Sequence, residues 1–119
     1  TSGVELLTAA RLSKEQTRAR NKETLLEIIN STELSDAQKQ EAVDSMVRMT
    51  DIAEKEAAAE VLLQAKGFQE AVVSINGDAV DVVINAAELS DAQRAQIEDI
   101  VKRKTDIAAE NIVISTIVQ

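Results

Sequence analysis

Apolar positions recur every three or four residues in the first half of the chain and every second residue in much of the last third. The pattern predicts two long helices, a hairpin, a third helix and a closing strand, in the order α-α-β-β-α-β. The first helical segment runs to about Ile29, in one piece or two. From Ser13 to Thr24 its only apolar residue is Ala19, so that stretch has no continuous stripe to bury. The run "LLEII" (25–29) is expected to dock, and Asn30-Ser31-Thr32 breaks the segment. A second helix is expected from Asp36 to about Lys66. Its apparent core stripe is Val43, Met46/Val47, Thr50, Ala53, Ala57, Val61 and Ala65, and Gly67 is its C′ residue. At ~1.5 Å per residue this rod is on the order of 45 Å long, so part of it should project from a small domain.

Period 2 takes over after Phe68. "EAVVSI" (70–75) and "AVDVVIN" (79–85) flank Asn76-Gly77, a type I′ hairpin signal. A two-residue turn there predicts Val73 opposite Val80 and Ala71 opposite Val82, with Ile84 on the same face and Ser74 and Asp81 on the other. A helix from Asp91 to about Lys104 should bury Ala95, Ile97, Ile100 and Val101, and "NIVISTIV" (111–118) closes the chain as a strand.

The word "LSDAQ" occurs at 34–38 and at 89–93. Both copies spell a capping box, with Ser35 or Ser90 as N-cap and Gln38 or Gln93 reaching back. A looser "LSKEQ" at 12–16 marks a third start or lies inside a helix begun at Ser2 with Glu5 as its box partner. The likeness extends from 33–53 to 88–108, including "TDIA" at 50–53 and 105–108. Duplication and convergent use of one helix recipe explain it equally well.

The tight hairpin forces the last strand outside one of the first two, so it must be a sheet edge. The helical crossover makes it run parallel to the second strand. Ile112, Ile114 and Val118 should point one way, Val113 and Ile117 the other. No charge interrupts 111–119, although free edges usually carry Lys or Pro. One reading is a fraying terminus covered by helices on one face. The other is that a partner strand adds here.

Composition narrows the chemistry. The 119 residues fit one domain, and with Phe68 the only aromatic the core must be aliphatic. The net charge of −8 opposes nucleic-acid and anionic-lipid binding. Residues 1–30 are net +1 and the remainder net −9, so a basic arm precedes an acidic body. There is no Cys, His or Tyr, which removes thiolate and imidazole chemistry and leaves carboxylates, Lys and Ser/Thr. The acids fall mostly on exposed helix faces, and Asn76, Asp78 and Asp81 do not spell a calcium loop. No catalytic, metal or cofactor site is expected. No segment approaches the ~20 apolar residues of a membrane span, and the first residue is not Met, which fits an excised fragment.

"LLEIINS" (25–31), "EKEAAAEVLLQAKGFQEAVVSI" (54–75), "VDVVIN" (80–85) and "LSDAQRAQIEDIVKRKTDIAAENIVIS" (89–115) together resemble the stage III sporulation protein AH family of spore-forming bacilli, over roughly residues 18–117. The resemblance implies an α+β fold. In it, long N-terminal helices precede an α-β-β-α-β ring-building motif with a three-stranded sheet, similar to ring proteins of type III secretion and flagellar basal bodies. Residues 1–35 would be a helical extension and 36–119 the ring-building motif, in one compact unit. The resemblance further implies a non-enzymatic interaction module of a sporulation channel complex. Its domain would lie between mother-cell and forespore membranes, held by an N-terminal anchor outside this stretch. The implied partner is a forespore-membrane protein with a LytM (peptidase M23-like) domain, alongside a homo-oligomeric ring. The surface we expect to meet the partner is Ile112, Val113, Ile114, Ser115, Thr116 and Ile117, with Arg18 and Lys22. The α-β-β-α-β order is also similar to part of a KH-type RNA-binding fold, but the GxxG loop is absent and the acidity opposes it.

Overall fold

The computed structural model describes residues 3–117; Ser2 and Val118, which figure in the expectations above, lie outside them. Helix α1 (Gly3–Ile29) is one uninterrupted piece, so "LSKEQ" lies within it. It is followed by α2 (Asp36–Ala65), β1 (Val72–Asn76), β2 (Ala79–Asn85), α3 (Asp91–Thr105), a 3-10 turn at Ala109–Asn111 and β3 (Ile112–Ile117). The fold is α+β, with the α-β-β-α-β order beginning at α2.

Both capping boxes form. The Ser35 and Ser90 backbones sit at φ −70 with ψ 160 and 163, and each hydroxyl accepts from the amide three residues on while the glutamine returns the bond. Ser90→Ala should therefore cost about 1 kcal/mol, read as a lower urea midpoint with unchanged m-value. At the far end of α2, Gly67 takes φ +97. Its N–H reaches Gln64 O, and Phe68 N–H reaches Leu63 O at 2.9 Å. This paired arrangement is a Schellman motif, and it brings Phe68 and Leu63 into one core cluster. Helix α3 stops at Asp106, which adopts the left-handed region at φ +61.

The sheet has the order β1-β2-β3, with β1 antiparallel and β3 parallel to β2. The hairpin register differs from the expected one. Val73 faces Val82 and Ile75 faces Val80, so the loop residues are Gly77 and Asp78 rather than Asn76 and Gly77. Gly77 at φ +61 leads the turn and Asp78 keeps a negative φ, as in a type II′ turn. The slip is two residues, so every side chain keeps its expected face.

One sheet face packs on α2 and α3. Its core holds Val73, Ile75, Val80, Val82 and Ile84 with Ala59, Leu63, Phe68, Ile97, Ile100 and Val101. Ala95, expected in this core, is exposed. The larger correction concerns α2. Val43, Val47 and Val61 are 36%, 63% and 66% exposed. The buried face runs instead through Ala42, Glu56, Ala59, Glu60 and Leu63. The start of α1 lies against the end of the sheet, where a Cβ on Gly3 would come 2.5 Å from Asn85 Oδ1. Beyond the sheet the α1–α2 pair continues, and the molecule extends over 55 × 32 × 21 Å.

Candidate functional site

The two edges of the sheet differ in kind. In an antiparallel pair, residues alternate between those bonded to the neighbouring strand and those turned away from it. Asn76 and Ala79 close the two-residue loop as a bonded pair, so Ser74–Asp81 and Val72–Val83 are bonded as well. Val73 and Ile75 therefore turn their N–H and C=O groups outward.

Side chains meet those groups. Glu60 Oε2 accepts from Val73 N–H at 2.8 Å, and Glu56 Oε2 accepts from Ile75 N–H at 2.7 Å. From α1, Arg11 Nη2 donates to Ala71 O and Lys14 Nζ to Val73 O, both at 2.9 Å. The same cations pair with the same acids. Arg11 lies 3.0 Å from Glu60 and Lys14 3.1 Å from Glu56, while Arg18 grips Glu56 with both terminal guanidinium nitrogens, Nη1 donating to Oε1 and Nη2 to Oε2 at 2.8 Å. Arg11, Lys14 and Arg18, spaced i, i+3 and i+7, form one face of α1 running alongside β1.

Glu56 is only 2% exposed. Burial pushes its carboxyl toward higher pKa. The Arg18 guanidinium, the Ile75 N–H and the Lys14 ammonium outweigh burial and hold it below the usual carboxylate range. Arg18 is raised in turn, chiefly by its bond to Glu56. A carboxylate with a depressed folded pKa contributes stability that is complete above the unfolded value and lost as pH falls through the folded one. The difference in urea midpoint between wild type and Glu56→Gln should hold at neutral pH and shrink once pH drops below about 4.5.

Among the described residues, the other edge has no such side-chain cover. In β2, Val80, Val82 and Ile84 point their backbone groups toward β3. Their bonds fall on alternate residues of the parallel partner, Val113, Ser115 and Ile117. Ile112, Ile114 and Thr116 consequently present their N–H and C=O groups outward along the open flank. Their side chains turn the other way from those of Val113, which is 52% exposed, and Ser115; Ile112 and Ile114 pack against the core. The structure thus brings the six expected strand residues together as one free edge.

Arg18 and Lys22 are elsewhere. Arg18 is tied to Glu56 beside β1, the opposite flank of the sheet, and Lys22 lines a groove of about 580 Å³ between α1 and α2 with Ala19, Met46 and Met49. Sequence reasoning missed Arg11, Lys14, Glu56 and Glu60. The one available signal was the cationic spacing on α1 where an apolar stripe is lacking.

Among the described residues, no group of acids is arranged to hold a metal ion and no helix is long and apolar enough to cross a membrane. The chain is 27% identical over 104 residues to the stage III sporulation protein AH of Bacillus subtilis (strain 168), a match covering 87% of this chain and 48% of that protein. It therefore spans about half the length of that relative. Its fold matches a chain in a solved structure described as the SpoIIQ-SpoIIIAH pore forming complex. The TM-score is 0.85 at 24% identity, covering 96% of this chain and 98% of that one. The model of the SpoIIIAH-like protein family matches residues 1–114, and with helices, sheet and crossover all accounted for, the chain belongs to that family.

Proposed function

We propose that this chain is a non-enzymatic interaction module of a sporulation channel complex. It joins a LytM-type (peptidase M23-like) forespore-membrane protein across the space between mother cell and forespore, and copies of it build a ring. A membrane anchor N-terminal to this stretch holds it on the mother-cell side. Family membership and the relative's name support the sporulation role, and the neighbour's description as a SpoIIQ-SpoIIIAH complex supports the partner. The single observation that carries a docking mode is the inequality of the edges. Among the described residues, only β3 leaves a row of alternating backbone donors and acceptors for an added strand.

The test is calorimetric titration against the soluble domain of a SpoIIQ-type protein. Thr116→Pro blocks an outward amide and spares the β2–β3 ladder, whereas Val113→Pro removes a ladder amide and should weaken the fold itself. Thr116→Pro should weaken binding at least about tenfold, consistent with loss of one or two main-chain hydrogen bonds. Ile114→Lys keeps its outward backbone groups but turns a charge into the core, so it reads out the fold and not the docking. Wild-type affinity in folded Thr116→Pro overturns docking at β3. No binding by wild type overturns the partner assignment.

A further inference from the structure

The four side chains beside β1 occupy the positions that backbone groups of a neighbouring strand would take. Two carboxylates accept from the outward N–H groups of Val73 and Ile75, and two cations donate to the outward carbonyls of Ala71 and Val73. We propose that Arg11, Lys14, Glu56 and Glu60 form an edge plug, a side-chain substitute for a fourth strand that restricts strand addition on this sheet to β3. The occupant it excludes is the β3 edge of a second copy of this chain.

Three observations support that choice of occupant. The two edges belong to one sheet, so β3 of one copy and β1 of the next present complementary rows of donors and acceptors once the plug is removed. The contact is head-to-tail, and a head-to-tail contact that does not close by rotation grows without limit. The plug is also built at a depth that solubility alone does not require. Glu56 is 2% exposed, and its two oxygens take bonds from Arg18, Lys14 and Ile75 N–H together. Charged side chains and a covering helix are both ways of blunting an open edge, and here two helices and four charged side chains are committed to one flank. This deepens the edge reading above, and rests on it only for what occupies β3. Any ring must then join its copies through surfaces other than β1.

Amide hydrogen exchange on the wild-type chain tests the plug directly. Val73, Ile75, Ile114 and Thr116 all point their N–H groups away from β2. The plug requires Val73 and Ile75 to exchange at least about tenfold more slowly than Ile114 and Thr116. Equal rates overturn it. In sedimentation, Glu56→Ala/Glu60→Ala should associate in an open-ended, concentration-dependent way, and adding Thr116→Pro should return it to the wild-type mass. Glu56→Gln/Glu60→Gln, which keeps an acceptor for each amide, should retain that mass throughout. A folded alanine double variant that stays at the wild-type mass overturns the proposal; if that variant does not fold, the exchange rates decide. Loss of partner binding by Thr116→Pro is read separately, so failure of the plug and failure of docking at β3 remain distinct results.

Discussion

Glu56→Leu should cost about 3–5 kcal/mol of stability, seen as a large fall in the urea midpoint at pH 7. The substitution removes the acceptor of a buried amide, Ile75 N–H, and leaves Arg18 and Lys14 against an apolar side chain. Hydrophobic replacement of an entire buried ion pair is often harmless, but removal of one member strands the others. Glu56→Gln should be milder because its amide oxygen still accepts from Ile75, and Arg18→Gln milder again because Lys14 remains. A loss under about 1 kcal/mol for Glu56→Leu would mean that α1 does not hold its place beside β1.

Leu63→Ala should cost a similar amount, about 2–5 kcal/mol, by a different route. Leu63 is fully buried and packs with Phe68 and the β-hairpin core. It is also the residue whose carbonyl accepts the Phe68 N–H as α2 turns into the sheet. The cavity would open where the helix hands the chain to β1. Calorimetry should show a lower melting temperature, and the amides of Gly67 and Phe68 should exchange faster than in wild type.

Most of the architecture was legible because it is written in local signals. Each N-cap serine with its glutamine three residues on became a capping box, and Gly67 ended α2 as expected. The hairpin was found but its turn was misplaced by one residue. Asn76-Gly77 satisfies the type I′ preference, yet Gly77 leads a type II′ loop with Asp78 second. The side-chain period of 2 absorbed the error, which is why the face assignments survived it. Identical words also diverged with context. "TDIA" lies inside α2, where Asp51 pairs with Lys55, and at its second occurrence Asp106 ends α3.

The site was far less legible. Counting apolar residues on α2 selected Val43, Val47 and Val61, all exposed, over a face that carries two glutamates. Glutamate in a core-facing position is unfavourable until its partners are known. Those partners lie about forty to fifty residues earlier, on a stretch of α1 whose charges look merely solvated in isolation. Long-range charge pairing of this kind leaves no period in the sequence. The open edge was legible because it follows from connectivity alone, a tight hairpin followed by a helical crossover.

The short parallel run of β3 beside β2 also has a mechanical meaning for any strand that adds to it. A ribbon laid along Ile112–Ile117 and tugged lengthwise would strain all its cross-links together, whereas a sideways tug would peel them one after another. The tenacity of such a joint is therefore set by the angle of the load, and a tether aligned with the strand axis would resist force that the same bonds, pulled crosswise, would not.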